Sequence, residues 1–364
     1  MLYNLIMKFY HLDTSSFGQM LTDGLQVVYA VKISKHRLVL VSKHKIANNF
    51  LLEFLGFHCI VVKSPLARTL YSLLNKLNLL MFDFALIGES IYFENLCKAQ
   101  RYFRQNLLEH VSTGLINEIS PRKDRPIVVF AARTDYYAKS LGNLGEHEIT
   151  IRNCDLEWTK DVIKSLLDNG FFVIRIGIET NPKLSIESPF FFDYSLSDLR
   201  NEKNDFEICA IADFAVTNAG GISLIPSLLG IPSIVINSGL FTDLHPQEFL
   251  HHFLPKSVFS KHSGTALNAS SLGKLKLSSM QKNINYDSIG LELRDVSPED
   301  SVTAILEFYS EFVKTKASIN ANREMMSNFK PLPTEISEQF PRAFALPESN
   351  SRIEIQLHRL WKNF

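Results

Sequence analysis

A strand–helix alternation that runs through the chain twice, with one break, limits the fold more than any other feature of this sequence. In the first run, Leu5 to Tyr10 reads as a short buried strand and His11 to Met20 as a polar turn carrying Gly18. Leu21 to Val31 has the apolar spacing of a helix, although its valine-rich end would also suit a strand. Arg37–Ser42 and Cys59–Ser64 are strands on either side of a helix over Asn48–Phe57, which Asn48 or Asn49 would cap. Phe84–Gly88 adds a strand and Asn95–Val111 a helix. The charged, proline-bounded Ile119–Pro126 then breaks the pattern as a linker would. The second run has strands at Ile127–Ala132, Phe171–Gly177, Phe214–Asn218 and Pro232–Ser238, with helices at Leu156–Asn169, Asp205–Ala212 and Ile222–Leu229. Parallel strands need helical crossovers, so the alternation predicts an α/β chain with two parallel sheets. The expected units are 1–120 and 121–315, facing each other across a cleft at the carboxyl ends of their strands, where ligands bind in such folds. Ser297 and Pro298 suit the N-cap and first position of a late helix, and the remaining 316–364 reads as a partly helical tail that packs back on the first unit.

Composition narrows the function. The chain has 364 residues, 46% of them hydrophobic, with 38 basic and 38 acidic side chains, so no net charge singles out nucleic acid as a partner. The four cysteines, Cys59, Cys97, Cys154 and Cys209, form no CxxC pair, which fits buried thiols in a reducing, cytoplasmic setting. The apolar start of the chain lacks the features of a signal peptide, and no apolar run reaches about 18 residues, the length that spans a membrane. Peripheral contact with the inner face of a membrane stays open.

The sharpest local signal is Thr217 to Ser238. A strand ends at Asn218, Gly220 and Gly221 follow, and a helix starts near Ser223. Glycines at such a turn let the backbone approach a ligand, and the helix start supplies N–H groups and positive potential, which together suit a phosphate or diphosphate. The alternative is a tight turn whose glycines serve packing alone. Arg133 follows one neighbouring strand, and Arg175, with Gly177 after it, ends another. A guanidinium fork matches phosphate, and arginine inside a core strand needs a partner. The competing roles are an ion pair of Arg175 with Asp193, Asp198 or Glu179, and of Arg133 with Asp135. Arg152 and Asn153 are cleft candidates, although Asn153 or Asp155 would equally cap the next helix. From the first unit, His11 or Asp13 at a strand end could take a proton from an acceptor hydroxyl, the competing role being structural. His251 and His252, beside His245, are adjacent and on a helix would point apart, and no carboxylate pair stands out for a divalent metal. No metal and no cofactor are therefore expected.

The runs IRNCDLEWTKDVIKSLLDNGFFVIRIG, FFDYSLSDLR and ICAIADFAVTNAGGISLIPSLLGIPSIVINS resemble a family of bacterial glycosyltransferases of GT-B architecture, in which two Rossmann-like domains face each other. Its R-N-x-D, V-I-R-x-G and G-I-S-x-x-P-S-L-x-G-x-P motifs match from about Arg133 to Pro298, and Leu254–Lys256 also fits. The strand followed by Ala132-Arg133-Thr134-Asp135 is distantly similar to fucosyltransferases, where an arginine in this place meets the donor diphosphate. The resemblance implies a nucleotide-diphosphate-sugar donor held by Arg133, Arg175, Gly177, Asn218, Gly220, Gly221, Ser223 and Lys256. It implies a glycan or lipid-linked acceptor, in the synthesis of surface polysaccharide. A nucleotide-sugar 2-epimerase of the same architecture and a catalytically degenerate nucleotide-sugar binder are the alternatives.

Overall fold

The computed structural model describes residues 8–12, 17–34, 38–42, 46–63, 66, 69, 73, 76, 101–111, 114–119, 124–134, 153–177, 182–218, 220–238, 251–267, 286–313 and 356–357. The chain is α/β and its two main sheets are parallel. In the first, β1 (Lys8–Leu12), β2 (Leu38–Ser42) and β3 (Ile60–Lys63) lie side by side in chain order. Helix α1 (Phe17–Ser34) crosses from β1 to β2, and α2 (Asn49–Gly56) from β2 to β3. The side chain of Asn48 caps α2 by accepting from Leu51 N at 2.6 Å. A helical stretch at 101–108 and α3 (Leu115–Ile119) close this half.

The second sheet contains β4 (Ile127–Ala131), β5 (Phe172–Arg175), β6 (Phe191–Asp193), β7 (Phe214–Thr217), β8 (Ser233–Ser238), β9 (His251–Pro255) and the short β12 (Gln356–Leu357). Their spatial order is β12-β9-β8-β7-β4-β5-β6, every pair parallel. A separate antiparallel pair, β10 (Ser257–Ser260) and β11 (Leu291–Arg294), follows β9. The winding starts at β4, runs outward through β5 and β6, then returns to the other side of β4 at β7. The β4–β7 boundary is thus the topological switch point, where the crossover helices on either side leave a crevice at the strand ends.

Strand β4 is buried along its whole length, as a central parallel strand with both faces covered should be. On one face, Val128 and Phe130 meet α4 (Leu156–Asp168) and α7 (Pro298–Phe308), through Trp158, Val162, Ile163, Ile305 and Phe308. Each such buried side chain contributes about 1.5–3 kcal/mol. Asp155 caps α4 by accepting from Glu157 N and Trp158 N, and Ser297 caps α7 by accepting from Asp300 N, with Pro298 in its first turn. On the other face, Ile127, Val129 and Ala131 pack with α5 (Asn204–Ala210) and α6 (Leu224–Leu229) in one cluster. That cluster continues into Met20, Leu21 and Leu25 of α1 and Leu51, Phe54 and Leu55 of α2, so the two sheets share an apolar core.

Several expectations shift. Strand β1 continues through His11 and Leu12, and α1 already begins at Phe17, so Gly18 sits in a helix's first turn instead of a loop. The valine-rich end of α1 is helical because Val27 and Val28 bury on the core-facing side. His251 and His252 lie on a strand, β9, not on a helix. Residues 356 and 357 of the tail pair with β9 of the second sheet. Arg125 and Pro126, read as linker, are bonded to the second sheet's surroundings through Leu167 O and Phe172 N. The expected strand at 84–88 and most of the tail lie outside the described residues. Among the described residues no helix is long and apolar enough to cross a membrane.

Candidate functional site

The switch point is built from the ends of β4 and β7. The ladder between them closes with Asn218 N donating to Ala131 O at 3.1 Å. One residue further, side chains take over from the ladder. Asn218 Oδ1 accepts from Arg133 N at 2.9 Å, and Asn218 Nδ2 reaches Arg133 O at 3.4 Å. Cys154 N also donates to Arg133 O, at 2.8 Å. Arg133 is half-buried at the end of β4, while Asn218 is buried. The peptide groups on both sides of Arg133 are therefore fixed just where its side chain leaves the sheet.

The glycine turn follows directly. Gly220 leads into a 3-10 turn over Gly221–Ser223, which runs on into α6. Ser223 N and Ser223 Oγ both donate to Gly220 O, at 3.2 and 2.5 Å, so the serine hydroxyl's proton closes the turn. The two glycines differ in their surroundings. Among the described residues nothing lies within 4 Å of where a Cβ on Gly220 would stand, whereas one on Gly221 would be 2.7 Å from Gly18 N and 3.1 Å from Gly18 Cα. Packing against α1 thus accounts for the glycine at 221, and the open surroundings belong to 220. The contact also brings the start of α1 to the diglycine turn.

Of the residues singled out in the sequence, Arg133, Asn218, Gly220, Gly221 and Ser223 meet at this point. Arg175 does not share their surroundings. It ends β5, is 1% exposed, and donates to Asp193 Oδ2 and to Pro182 O, both at 2.9 Å. The ion-pair alternative is the arrangement found. Burial pulls the Arg175 guanidinium below its ordinary pKa, and Asp193 opposes that shift. Gly177, beyond β5, has φ 157° and accepts from Arg200 Nε at 2.8 Å through its carbonyl. Lys256, between β9 and β10, is buried and held by Asp295 and, at 2.7 Å, by Asn153 O. Asp155, not Asn153, provides the cap on α4. His11 is the fourth residue of β1, which places it at the end of the first sheet that leads toward the turn. Asp13, Arg152 and His245 lie outside the described residues. Among the described residues no group of three His, Cys, Asp or Glu side chains is arranged to hold a metal ion.

Sequence reasoning missed the layer behind the site. Cys154 is buried, its thiol pushed up to about 12 by desolvation, and Asn218 Nδ2 lies 3.4 Å from its sulfur. Asn237, fully buried at a register shift in β8, has φ 52°, and its Oδ1 accepts from Val296 N at 2.7 Å. Asparagine tolerates that conformation better than most residues, and bulges gather at the working ends of sheets. An asparagine–serine–glycine run closing a strand was the available signal. Glu202 was missed too. Its carboxylate accepts from Asn49 N, from Phe50 N at 3.2 Å and from Asn49 Nδ2 at 3.2 Å, so it clasps the start of α2 from the second half of the chain.

No family model and no curated protein matches the chain. Among solved structures it is similar to a glycosyl transferase family 9 protein of Veillonella parvula, at 10% identity over 85% of this chain and 99% of that one, TM-score 0.46. It is similar to the heptosyltransferase WaaC of E. coli, solved with ADP, at 12% identity over 68% and 93% of the two chains, TM-score 0.41. It is also similar to a Listeria monocytogenes protein of UDP-N-acetylglucosamine 2-epimerase type, at 8% identity over 97% and 100%, TM-score 0.38.

Proposed function

We propose that the chain is a glycosyltransferase of GT-B architecture that moves a sugar from a nucleotide-diphosphate-sugar to an acceptor hydroxyl. One observation carries this reading. The topological switch point of the second sheet brings together Arg133, Gly220 and the start of α6, and the contact of Gly221 with Gly18 adds the start of α1. A diphosphate at the turn would meet backbone N–H groups and the Arg133 guanidinium, a fork that matches its oxygens.

In that arrangement the acceptor oxygen bonds to the anomeric carbon while the bond from that carbon to the diphosphate oxygen breaks. The nucleoside diphosphate leaves with the electron pair. Positive potential at the turn and at Arg133 stabilises the charge that develops on it, which is electrostatic catalysis. The acceptor proton goes to a base at the end of the first sheet, with His11 and Asp13 as the candidates. The reaction then needs no metal, because the protein itself neutralises the leaving group. Synthesis of surface polysaccharide at the inner face of a membrane is the setting that the sequence resemblance suggests.

The test is a thermal-shift panel of ADP, UDP, GDP and CDP, since a ligand that binds only the folded chain raises its midpoint. At least one should stabilise the wild type, and Arg133→Ala should weaken it by about tenfold in calorimetry, the range expected for one charge-assisted contact. A wild type that none of the four stabilises, or an Arg133→Ala chain with undiminished affinity, overturns the proposal.

A further inference from the structure

The geometry points to Asn218 as a positioning residue that acts on the donor through Arg133 and makes no contact with the donor itself. This rests on the reading of the switch point as a diphosphate site. The asparagine stands where sequence logic would make it a ligand, at a strand end beside a glycine turn. Its carboxamide is turned the other way. Oδ1 accepts from Arg133 N at 2.9 Å, while Nδ2 lies 3.4 Å from both Arg133 O and Cys154 Sγ. The residue is 4% exposed, so the carboxamide is enclosed by protein.

The chemistry explains why an asparagine does this. Beyond Ala131 and Asn218 N, the β4–β7 ladder shows no further backbone pair among the described residues. A carboxamide carries one acceptor and one donor group in a plane, as a peptide does, so it can extend the ladder by one more unit. The unit it captures is residue 133. With N–H held by Asn218 and C=O held by Cys154 N, the backbone angles at 133 are pinned, and they set the direction in which Cβ and the guanidinium leave the sheet. Cys154 supports the same arrangement from behind, and its neighbour Asn153 is tied through its carbonyl to Lys256. A misdirected arginine would meet the anion with one N–H instead of a fork, at a cost of about threefold to tenfold in affinity.

A double-mutant cycle separates positioning from direct contact. Calorimetry uses whichever of ADP, UDP, GDP and CDP binds the wild type most tightly. Asn218→Ala is compared with wild type, and Asn218→Ala/Arg133→Ala with Arg133→Ala. Positioning predicts a loss of about threefold to tenfold in the first comparison and less than about twofold in the second, because no guanidinium is left to aim. Where Asn218→Ala does not fold, Asn218→Ser, which keeps a small polar group at the strand end, takes its place in the cycle. Equal losses in both comparisons, or none in the first, overturn the inference and leave the diphosphate site standing. A wild type that binds none of the four overturns both.

Discussion

The two glycines of the turn sit side by side in sequence, yet alanine should affect them in opposite directions. At Gly221, an added Cβ would stand 2.7 Å from Gly18 N, 3.1 Å from Gly18 Cα and 3.3 Å from Phe17 Cδ1. Two of those three atoms are backbone, so relief requires the first turn of α1 to back away, and only the phenyl ring can swing aside. Overpacking of this kind costs about 1–3 kcal/mol, and the backbone contacts put Gly221→Ala near the upper end. At Gly220 no atom of the described residues lies within 4 Å and φ is 179°, an extended backbone that alanine adopts without strain. Gly220→Ala should be neutral, or stabilising by about 0.4–1 kcal/mol because the unfolded chain loses freedom. The two variants should thus differ by about 2–4 kcal/mol, or roughly 4–16 °C at about 2–4 °C per kcal/mol for a domain of about 150–250 residues. Urea unfolding followed by circular dichroism measures the difference directly. Variants equal within about 0.5 kcal/mol, or in the reverse order, would refute the close approach of α1 to the turn on which the site is built.

Asp193→Ala should destabilise by about 3–5 kcal/mol in urea unfolding, because it strands the Arg175 guanidinium without its counter-ion, whereas the double variant Arg175→Met/Asp193→Leu, which removes both charges, should cost far less. Neither should alter nucleotide affinity by more than about twofold, since the pair lies at β5 and β6 and not at the switch point. His58 gives a pH dependence. Burial first, and the neighbouring His110 second, lower its pKa from 6.5, so the unfolded chain takes up the proton more readily than the folded one. Its contribution to stability is complete above pH 6.5 and falls as the pH drops below 6.5 toward the folded value. Urea midpoints between pH 7 and 5 should therefore decline less steeply in His58→Gln than in the wild type, and parallel curves would exclude the effect.

What could be read from the sequence was local. The caps on α2, α4 and α7 were visible, down to Asn48 or Asn49, Asn153 or Asp155, and Ser297, because a capping side chain acts within three residues of itself. The crossovers were visible because periodicity changes from two to 3.6 at each boundary. The role of Arg175 was undecided because its partner sits 18 positions on, in a three-residue strand whose FFD sequence carries no alternation to mark it. Gly18 was misplaced because glycine's poor helix propensity argues for a loop, while the contact with Gly221 that excludes a larger side chain is non-local. The strand order was hidden for the same reason. Spacing alone does not say that β7 returns to the flank of β4, yet that return is what brings Arg133 and Asn218 within 2.9 Å.

Two sheets joined by a short connection invite the picture of lobes that swing apart, but the contacts across this chain oppose it. Phe206 of α5 packs on Phe17 of α1 and Phe50 of α2, with ring centroids 6.2 and 5.3 Å apart. Such aromatic pairs add about 0.5–1.5 kcal/mol each beyond the area they bury. Glu202 must also leave the N–H groups of Asn49 and Phe50 if the halves rotate. A carboxylate at a helix start loses about 0.3–1 kcal/mol of dipole interaction in doing so, besides the hydrogen bonds themselves. Added to the apolar cluster that joins α1 and α2 to α5 and α6, these terms make a rigid rotation that separates α1 from the diglycine turn costly enough to be a rare excursion. The turn is therefore held against α1 by the fold itself. Preassembly of that kind suits an electrostatic site, whose donors stabilise a leaving group most when they need not reorganise during the reaction.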